Sequence, residues 1–444
     1  MKTPGQNAVL IAAPMSGSGK TCITLGLLRA LSRRKSGPHI RAAKSGPDYI
    51  DPRFHEAACG APCLNLDAWA MGRTRLQSLA RANAAADDLL IIEGAMGLFD
   101  GAPPSGKGAC ADLARLFQIP VILVVDASHI AQSIAPLIAG FARFDPSLNI
   151  AGVILNKVGS PRHETMLRRA IADAKGPPVL GAIPRDPRLN QPSRHLGLVQ
   201  ASERADLDSW LETAADIIEA NVDLAALPSA PLAPTQPAQA RTPLFPLAQH
   251  IAIARDQAFA FSYPHLIQDW RDAGAQISFF SPLNDEAPAN EADLIYLPGG
   301  YPELHAGQIA AAKTFRQAMQ DAALKTPIYG ECGGYMVLGQ GLIDAGGARH
   351  EMLGLLDLET SFERRKLHLG YRDLTPTSDA ANPFKAPLKA HEFHYASTIH
   401  AQGTPLLEAL DAEGNTLAPM GLISGKTCGS FAHIIDCAEP HSNS

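Results

Sequence analysis

Residues 13–21 read Ala-Pro-Met-Ser-Gly-Ser-Gly-Lys-Thr, between an apolar run and a stretch of helical periodicity. Phosphate chemistry needs this order. Backbone N–H groups at a helix N-terminus bind an anion, and glycines let the backbone come close to it. Ser16, Gly17, Ser18 and Gly19 would form the cradle. Lys20 would reach the β- and γ-phosphates, and Thr21 would offer its hydroxyl to Mg²⁺. The pattern departs from G-x-x-x-x-G-K-[ST] at one place, where Pro14 stands for the first glycine. Acidic residues must complete such a site. Glu93 ends the run Leu89–Glu93 and opens Glu-Gly-Ala-Met-Gly-Leu-Phe-Asp, which brings in Asp100. Lys44-Ser-Gly-Pro-Asp-Tyr-Ile-Asp51 supplies Asp48, Tyr49 and Asp51 after another apolar run. Carboxylates at strand C-termini beside a phosphate loop are where a metal or a substrate is met. Thr21, Asp48 and Glu93 are thus the metal candidates, and Asp48, Tyr49, Glu93 and Asp100 the candidates for the chemistry. Asn156, ending Gly152–Asn156, is placed to read adenine.

A second constellation lies far along the chain. Residues 327–336 read Pro-Ile-Tyr-Gly-Glu-Cys-Gly-Gly-Tyr-Met. Gly330-x-Cys332-x-Gly334 after an apolar strand is a nucleophile elbow with cysteine in place of serine. The turn is sharp, so small residues flank the thiol, and a helix N-terminus beneath it favours thiolate. The N–H of Gly333 is one oxyanion donor, and the loop Leu297-Pro-Gly-Gly-Tyr-Pro-Glu303, with Gly299 and Gly300, supplies the other. The base is a late histidine, His433 in Gly-Ser-Phe-Ala-His. His391-Glu-Phe-His394 is one residue short of the His-Glu-x-x-His zinc spacing and is read as lining a site or packing in a sheet. Cys59 and Cys63 are read as structural.

These residues need a scaffold of strands with helices between them. Strands are predicted at Ala8–Ala13, Ile40–Lys44, Leu89–Glu93, Val121–Asp126, Gly152–Asn156 and Val179–Ile183, with helices over Thr21–Ser32 and Arg162–Ala174. Uninterrupted apolar strands alternating with helices predict a parallel sheet covered on both faces. From Leu227 to Pro246 six prolines exclude helix and central strand, so an extended linker is expected. Strands resume at Ile251–Ala254, Ile277–Phe280, Leu294–Leu297 and Ile328–Gly330. The division predicted is therefore 1–226, a linker 227–247, and 248–440.

Composition limits the class. The chain has 444 residues, 46% hydrophobic and 18% charged, enough for two folded domains. A formal charge of −6 argues against general nucleic-acid binding. No apolar run approaches the ~20 residues of a membrane span. Ala8–Ala13 leads directly into the phosphate loop and reads as a strand rather than a signal peptide. Seven scattered cysteines with no Cys-x-x-Cys fit neither zinc nor a disulfide framework, and a reducing cytoplasm is expected.

A phosphate loop joined to a cysteine hydrolase suggests one logic. One half frees ammonia from glutamine through a thioester, and the other activates a carboxylate as an acyl phosphate. Free ammonia is mostly protonated at neutral pH, so an internal route for it is expected. On Ala13–Thr21, Lys44–Asp51, Glu93–Gly101, Gly152–Gly159, Phe279–Pro282, Tyr296–His305, Gly330–Gly339, Leu367–Arg372, His391–Tyr395 and Ser430–His433, the sequence resembles the cobyrinic/hydrogenobyrinic acid a,c-diamide synthases. The resemblance runs over nearly the whole length. It implies an α/β P-loop domain like dethiobiotin synthetase, followed by a class I glutamine amidotransferase domain. It further implies Mg²⁺-ATP, glutamine or ammonia as nitrogen donor, a corrinoid tetrapyrrole substrate, and amidation at c before a. The greatest similarity is to the enzymes acting on the metal-free ring. A monomer or homodimer is expected. Most class I amidotransferases carry a His-x-Glu pair, but His433 is followed by Ile434-Ile435. Asp436 or Glu439 would orient the imidazole, or Cys332 and His433 work as a dyad. Rival readings are a diamide synthase for another tetrapyrrole such as nickel-sirohydrochlorin, and cobyric acid synthase. A partitioning-type switch ATPase shares such a loop but has a signature lysine where this chain has Met15 and Ser16.

Overall fold

In the computed structural model, residues 6–85, 87–190, 193–194, 197–198, 200–233, 248–379 and 382–438 are described. The chain divides into two compact units, Met1–Gln239 and Ala240–Ser444. The first is a parallel sheet of β1 (Asn7–Ala12), β2 (Ile40–Ser45), β3 (Cys63–Leu66), β4 (Leu89–Glu93), β5 (Val121–Asp126), β6 (Ile150–Val158) and β7 (Val179–Pro184), in the order β3-β2-β4-β1-β5-β6-β7. Val121–Val125 are buried throughout, as a strand with helices on both faces requires. The order reverses around β1. Crevices at the C-terminal ends of such strands are where ligands bind. The phosphate loop leaves β1 there and enters helix α1 (Lys20–Ser32), and β2 feeds helix α2 (Asp51–Cys59) through the Asp48 turn.

The segment predicted as linker begins as part of this sheet. Ala230 and Pro231 pair antiparallel with Ala8 and Asn7, at the start of β1, where β5 does not yet run beside it. A proline is tolerated in such a short, terminal pairing. Arg81 Nη2 also holds the carbonyl of Ala233, at 2.6 Å. Pro234, Pro237, Pro243 and Pro246 lie outside the described residues.

The second unit centres on a mixed ten-stranded sheet. Its parallel part runs Gln276–Phe280, His250–Ala254, Leu294–Leu297, Ile328–Glu331 and Thr427–Ser430. Its antiparallel part comprises Met420–Ser424, Thr404–Asp411, His368–Pro376, Leu388–His394 and His433–Cys437. A smaller four-stranded sheet contains Gly341–Ile343, Arg349–Glu351, Leu358–Ser361 and Ser397–Ala401. A core of Phe259, Phe280, Phe315, Met319, Leu338 and Leu358 packs beneath the elbow. Among the described residues, no helix is long and apolar enough to cross a membrane.

Candidate functional site

In the first unit, Gly17 and Gly19 adopt φ +80 and +84, the left-handed region that glycine alone enters without strain. Gly19 also has no room for a side chain: a Cβ would lie 2.2 Å from Nδ2 of Asn156. That amide donates to the carbonyl of Ser18 at 2.9 Å, and its oxygen accepts from the N–H of Lys157. Asn156, expected on adenine, is thus 5% exposed and braces the loop from β6. Ser18 Oγ closes the turn by donating to the carbonyl of Met15. Ser16 is exposed on the rim. Next to Pro14, which stands in place of glycine, the neighbouring loop is tied in: Leu98 N–H reaches the carbonyl of Ala13. Lys20 Nζ donates to the carbonyl of Met96 in that same loop, at 3.2 Å.

Glu93 is fully buried at the end of β4, and three groups converge on it. Its Oε1 accepts from Thr21 Oγ1 at 2.8 Å and from Lys44 Nζ at 2.7 Å. Its Oε2 lies 2.6 Å from Nε2 of His55. Lys44 also pairs with Asp51 Oδ2 at 2.6 Å. Burial would raise the Glu93 carboxyl, but Lys44, His55 and Lys20 outweigh it and hold the pKa well below the usual range. Burial likewise opposes the Lys44 charge, and Asp51, Glu93 and Asp48 override it, so the ammonium is held above its ordinary value. Lys20 moves the other way: desolvation outweighs Glu93, and its pKa is lowered.

Asp48 is not bonded to Glu93; Asp51 is joined to it through Lys44. Asp48 Oδ1 instead accepts from the N–H groups of Ile50 and Asp51, shaping the turn that starts α2. Burial and then Asp51 push its carboxyl up to about 6. Asn65 pins the same turn from β3 through the carbonyls of Gly46 and Asp48. Tyr49 is half-buried within it. Asp100 is exposed and folds back on the N–H of Gly97, at 2.8 Å, so the structure does not bring it into the Glu93 cluster. His55 went unread in the sequence. The available signal was its i+4 spacing from Asp51 on α2, which places it over the turn bearing that carboxylate.

In the second unit, Cys332 caps the helix Gly333–Leu338 at φ 46 and ψ −103, the strained backbone of an elbow. Its N–H is held by the carbonyl of Ser430, at 2.8 Å. His433 hydrogen-bonds the thiol. Burial alone would lower the imidazole, but Cys332 and Glu331 override it and raise its pKa to about 9. The Pro298–Tyr301 loop closes over this pair. A Cβ at Gly299 would stand 2.3 Å from Cε1 of His433, and one at Gly333 would stand 3.0 Å from the nitrogen of Gly300. The backbone of Gly333 thereby lies close to the nitrogen of Gly300.

Among the described residues, the carboxylate paired with His433 is one that the sequence reading did not name, Glu331. Asp436 accepts from the N–H of Cys437, and Glu439 lies outside the described residues. Glu331 Oε2, on the strand leading into the elbow, is 3.7 Å from His433 Nδ1. His391-Glu-Phe-His394 divides across its strand. His391 pairs in register with His433, whereas Glu392 bonds Arg372 and His394.

The profile of the CobQ/CobB/MinD/ParA nucleotide binding domain matches residues 9–199, and that of the CobB/CobQ-like glutamine amidotransferase domain matches residues 250–439. The hydrogenobyrinate a,c-diamide synthase of Brucella abortus is 57% identical over 432 residues, 96% of this chain and 98% of that protein. Those of Rhizobium meliloti and Rhodobacter capsulatus are 53% and 51% identical, over 98% and 97% of this chain and 100% and 99% of theirs. A switch ATPase would share the first profile but has no use for the second, nor for the thiol elbow. With both halves matched and the identity running almost end to end, the chain is a glutamine-hydrolysing, amide-forming ligase of the hydrogenobyrinate a,c-diamide synthase family.

Proposed function

We propose that the protein amidates the a and c side-chain carboxylates of metal-free hydrogenobyrinate, using ATP and glutamine. The observation that carries this reading is the pairing, in one chain, of a phosphate loop converging on Glu93 with a Cys332–His433 elbow. In the glutaminase half, the Cys332 thiolate attacks the glutamine amide carbon. The N–H groups of Gly300 and Gly333 receive the oxyanion, with the Gly299 turn giving them room to approach. His433 gives its proton to the departing ammonia, and water then releases glutamate from the thioester.

In the synthase half, the loop Ser16–Thr21 cradles the nucleotide and Lys20 swings from the Met96 carbonyl to the phosphates. The oxygen donors of Thr21 and Glu93, with Asp48 and Asp51 at the rim, suit a hard divalent cation and would hold Mg²⁺. Mg²⁺, when bound, neutralises phosphate charge. Asp48, Tyr49 and Asp100 would orient the carboxylate that accepts the phosphoryl group. Ammonia displaces phosphate from the acyl phosphate to give the amide. We assign 1–226 to this half and 248–440 to the glutaminase. The seven free thiols suit a reducing cytoplasm.

The test is mass spectrometry of metal-free hydrogenobyrinic acid incubated with the protein, Mg²⁺-ATP and glutamine, with cobyrinic acid in parallel. Two amidations of the metal-free ring support the proposal. Reaction with the cobalt ring alone moves the substrate to the other branch. Glutaminase activity with neither ring amidated refutes the substrate.

A further inference from the structure

We infer that Glu331 is the positioning residue of the glutaminase, its carboxylate holding the imidazolium of His433 in the place left vacant by the missing His-x-Glu pair. This rests on reading Cys332 and His433 as the glutaminase pair.

Glu331 is 2% exposed. Only donors converge on it. Oε2 accepts from Tyr296 Oη at 2.8 Å, and Oε1 from Tyr329 Oη at 3.1 Å and from Ile434 N–H at 3.2 Å. Tyr296 and Tyr329 are stacked nearly parallel, with ring planes 9° apart, which fixes both hydroxyls. Their phenols are pushed well up by burial and by Glu331, so they remain donors. Among the described residues, the one cation paired with Glu331 is His433. A buried carboxylate needs such a countercharge. At 3.7 Å the contact is an ion pair rather than a hydrogen bond, and catalytic contacts of this kind tighten when substrate binds.

The placement follows from the topology. Parallel pairing of Ile328–Glu331 with Thr427–Ser430 brings the end of one strand beside the segment that carries His433. The residue before the nucleophile thus faces the base across the sheet, so the histidine needs no acidic residue on its own strand. Among the described residues, Cys332 at the elbow and His391 on the neighbouring strand also interact electrostatically with His433. His391 is held down to about 3 by burial, His433 and Arg372, so it stays neutral and supplies no competing charge.

A purely architectural role is the alternative, since the same three donors tie together the strands Leu294–Leu297, Ile328–Glu331 and His433–Cys437. The test uses the full chain with Glu331→Gln and Glu331→Asp. It measures glutaminase kcat and KM, unfolding temperature, and alkylation of the Cys332 peptide by iodoacetamide against pH. In Glu331→Gln, kcat should fall by about 10²–10³-fold with KM for glutamine little changed. The alkylation midpoint should move to higher pH, because an imidazolium without its carboxylate gives less support to the thiolate. Glu331→Asp should recover much of both. An unshifted alkylation profile with wild-type kcat overturns the inference. So do equal losses in both variants accompanied by a lowered unfolding temperature. Cys332→Ser separates the two layers: if that variant still hydrolyses glutamine, the underlying reading fails, and not merely the role of Glu331.

Discussion

Gly299→Ala tests the glutaminase geometry with a single methyl group. The new Cβ would stand 2.3 Å from Cε1 of His433 and 3.3 Å from Cβ of Cys332. Non-bonded carbons rest at about 3.5–4.0 Å, so the ring must retreat by about 1.2 Å or more. It has little freedom to do so. His433 is 2% exposed, begins a strand paired with Leu388–His394, and has Phe261 beside it with ring centroids 6.4 Å apart. The loop is also fixed, because Phe261 N–H donates to the carbonyl of Gly299 at 2.9 Å. Displacing a proton-transfer partner by about 1 Å costs on the order of 10²-fold in rate. That is about 2.7 kcal/mol of transition-state stabilisation. The assay is glutamate release, with ammonia-driven synthesis measured in the same preparation. Glutamate release should fall by about two orders of magnitude while synthesis from ammonia persists. Unimpaired glutamate release in Gly299→Ala would show that the ring is not held against this loop during catalysis, and the reasoning would fail.

Other perturbations separate the two halves. Cys332→Ser should abolish synthesis from glutamine and leave synthesis from ammonia; loss of both would end the division of labour. Gly19→Ala places a methyl group against Asn156 at a positive φ, and should eliminate nucleotide binding in a titration with ATP; normal binding would mean the loop opens before it closes on phosphate. Lys44→Met leaves Glu93, buried, and Asp51, half-buried, without their shared cation, and should lower stability by about 3 kcal/mol, read from the urea midpoint. His433 takes up its proton more tightly when folded, its pKa rising from 6.5 to about 9. The stability this provides is complete below pH 6.5 and is lost as pH rises through about 9, so thermal melts should decline over that interval and His433→Ala should flatten the decline. Melts that do not vary with pH would contradict it.

The parallel sheet was legible because its strands are short, apolar on both faces, and separated by helical stretches. Leu89–Glu93 and Val121–Asp126 were read to the residue, and α1 to within one. The strands after Gly341 were not read. Most of them pair antiparallel, and in His368–Pro376 polar residues fall on both faces, which blurs the period. At the sites, motifs revealed residues that lie on glycine-punctuated turns: Lys20, Glu93, Cys332. They did not reveal partners chosen by three-dimensional register. His55 reaches Glu93 only because α2 packs over β2, whose neighbour in the sheet is β4. Glu331 reaches His433 only because distant strands pair in parallel. Asn156 was found by its place at a strand end, but its partner, the carbonyl of Ser18, lies 138 residues away.

The backbone of Cys332, at φ 46 and ψ −103, has an evolutionary consequence. A non-glycine residue held in such a region forfeits on the order of 1–3 kcal/mol of folding stability. Glycine would relieve the strain but has no thiol. Stability and glutamine use therefore pull in opposite directions at this one codon. In a lineage supplied with ample ammonia, selection for a sturdier fold would erode the nucleophile before it touched the scaffold around it. The surrounding turn would survive as a relic. A relative with an intact Gly-rich elbow and glycine at the cysteine position would then mark a synthase that has come to depend on free ammonia.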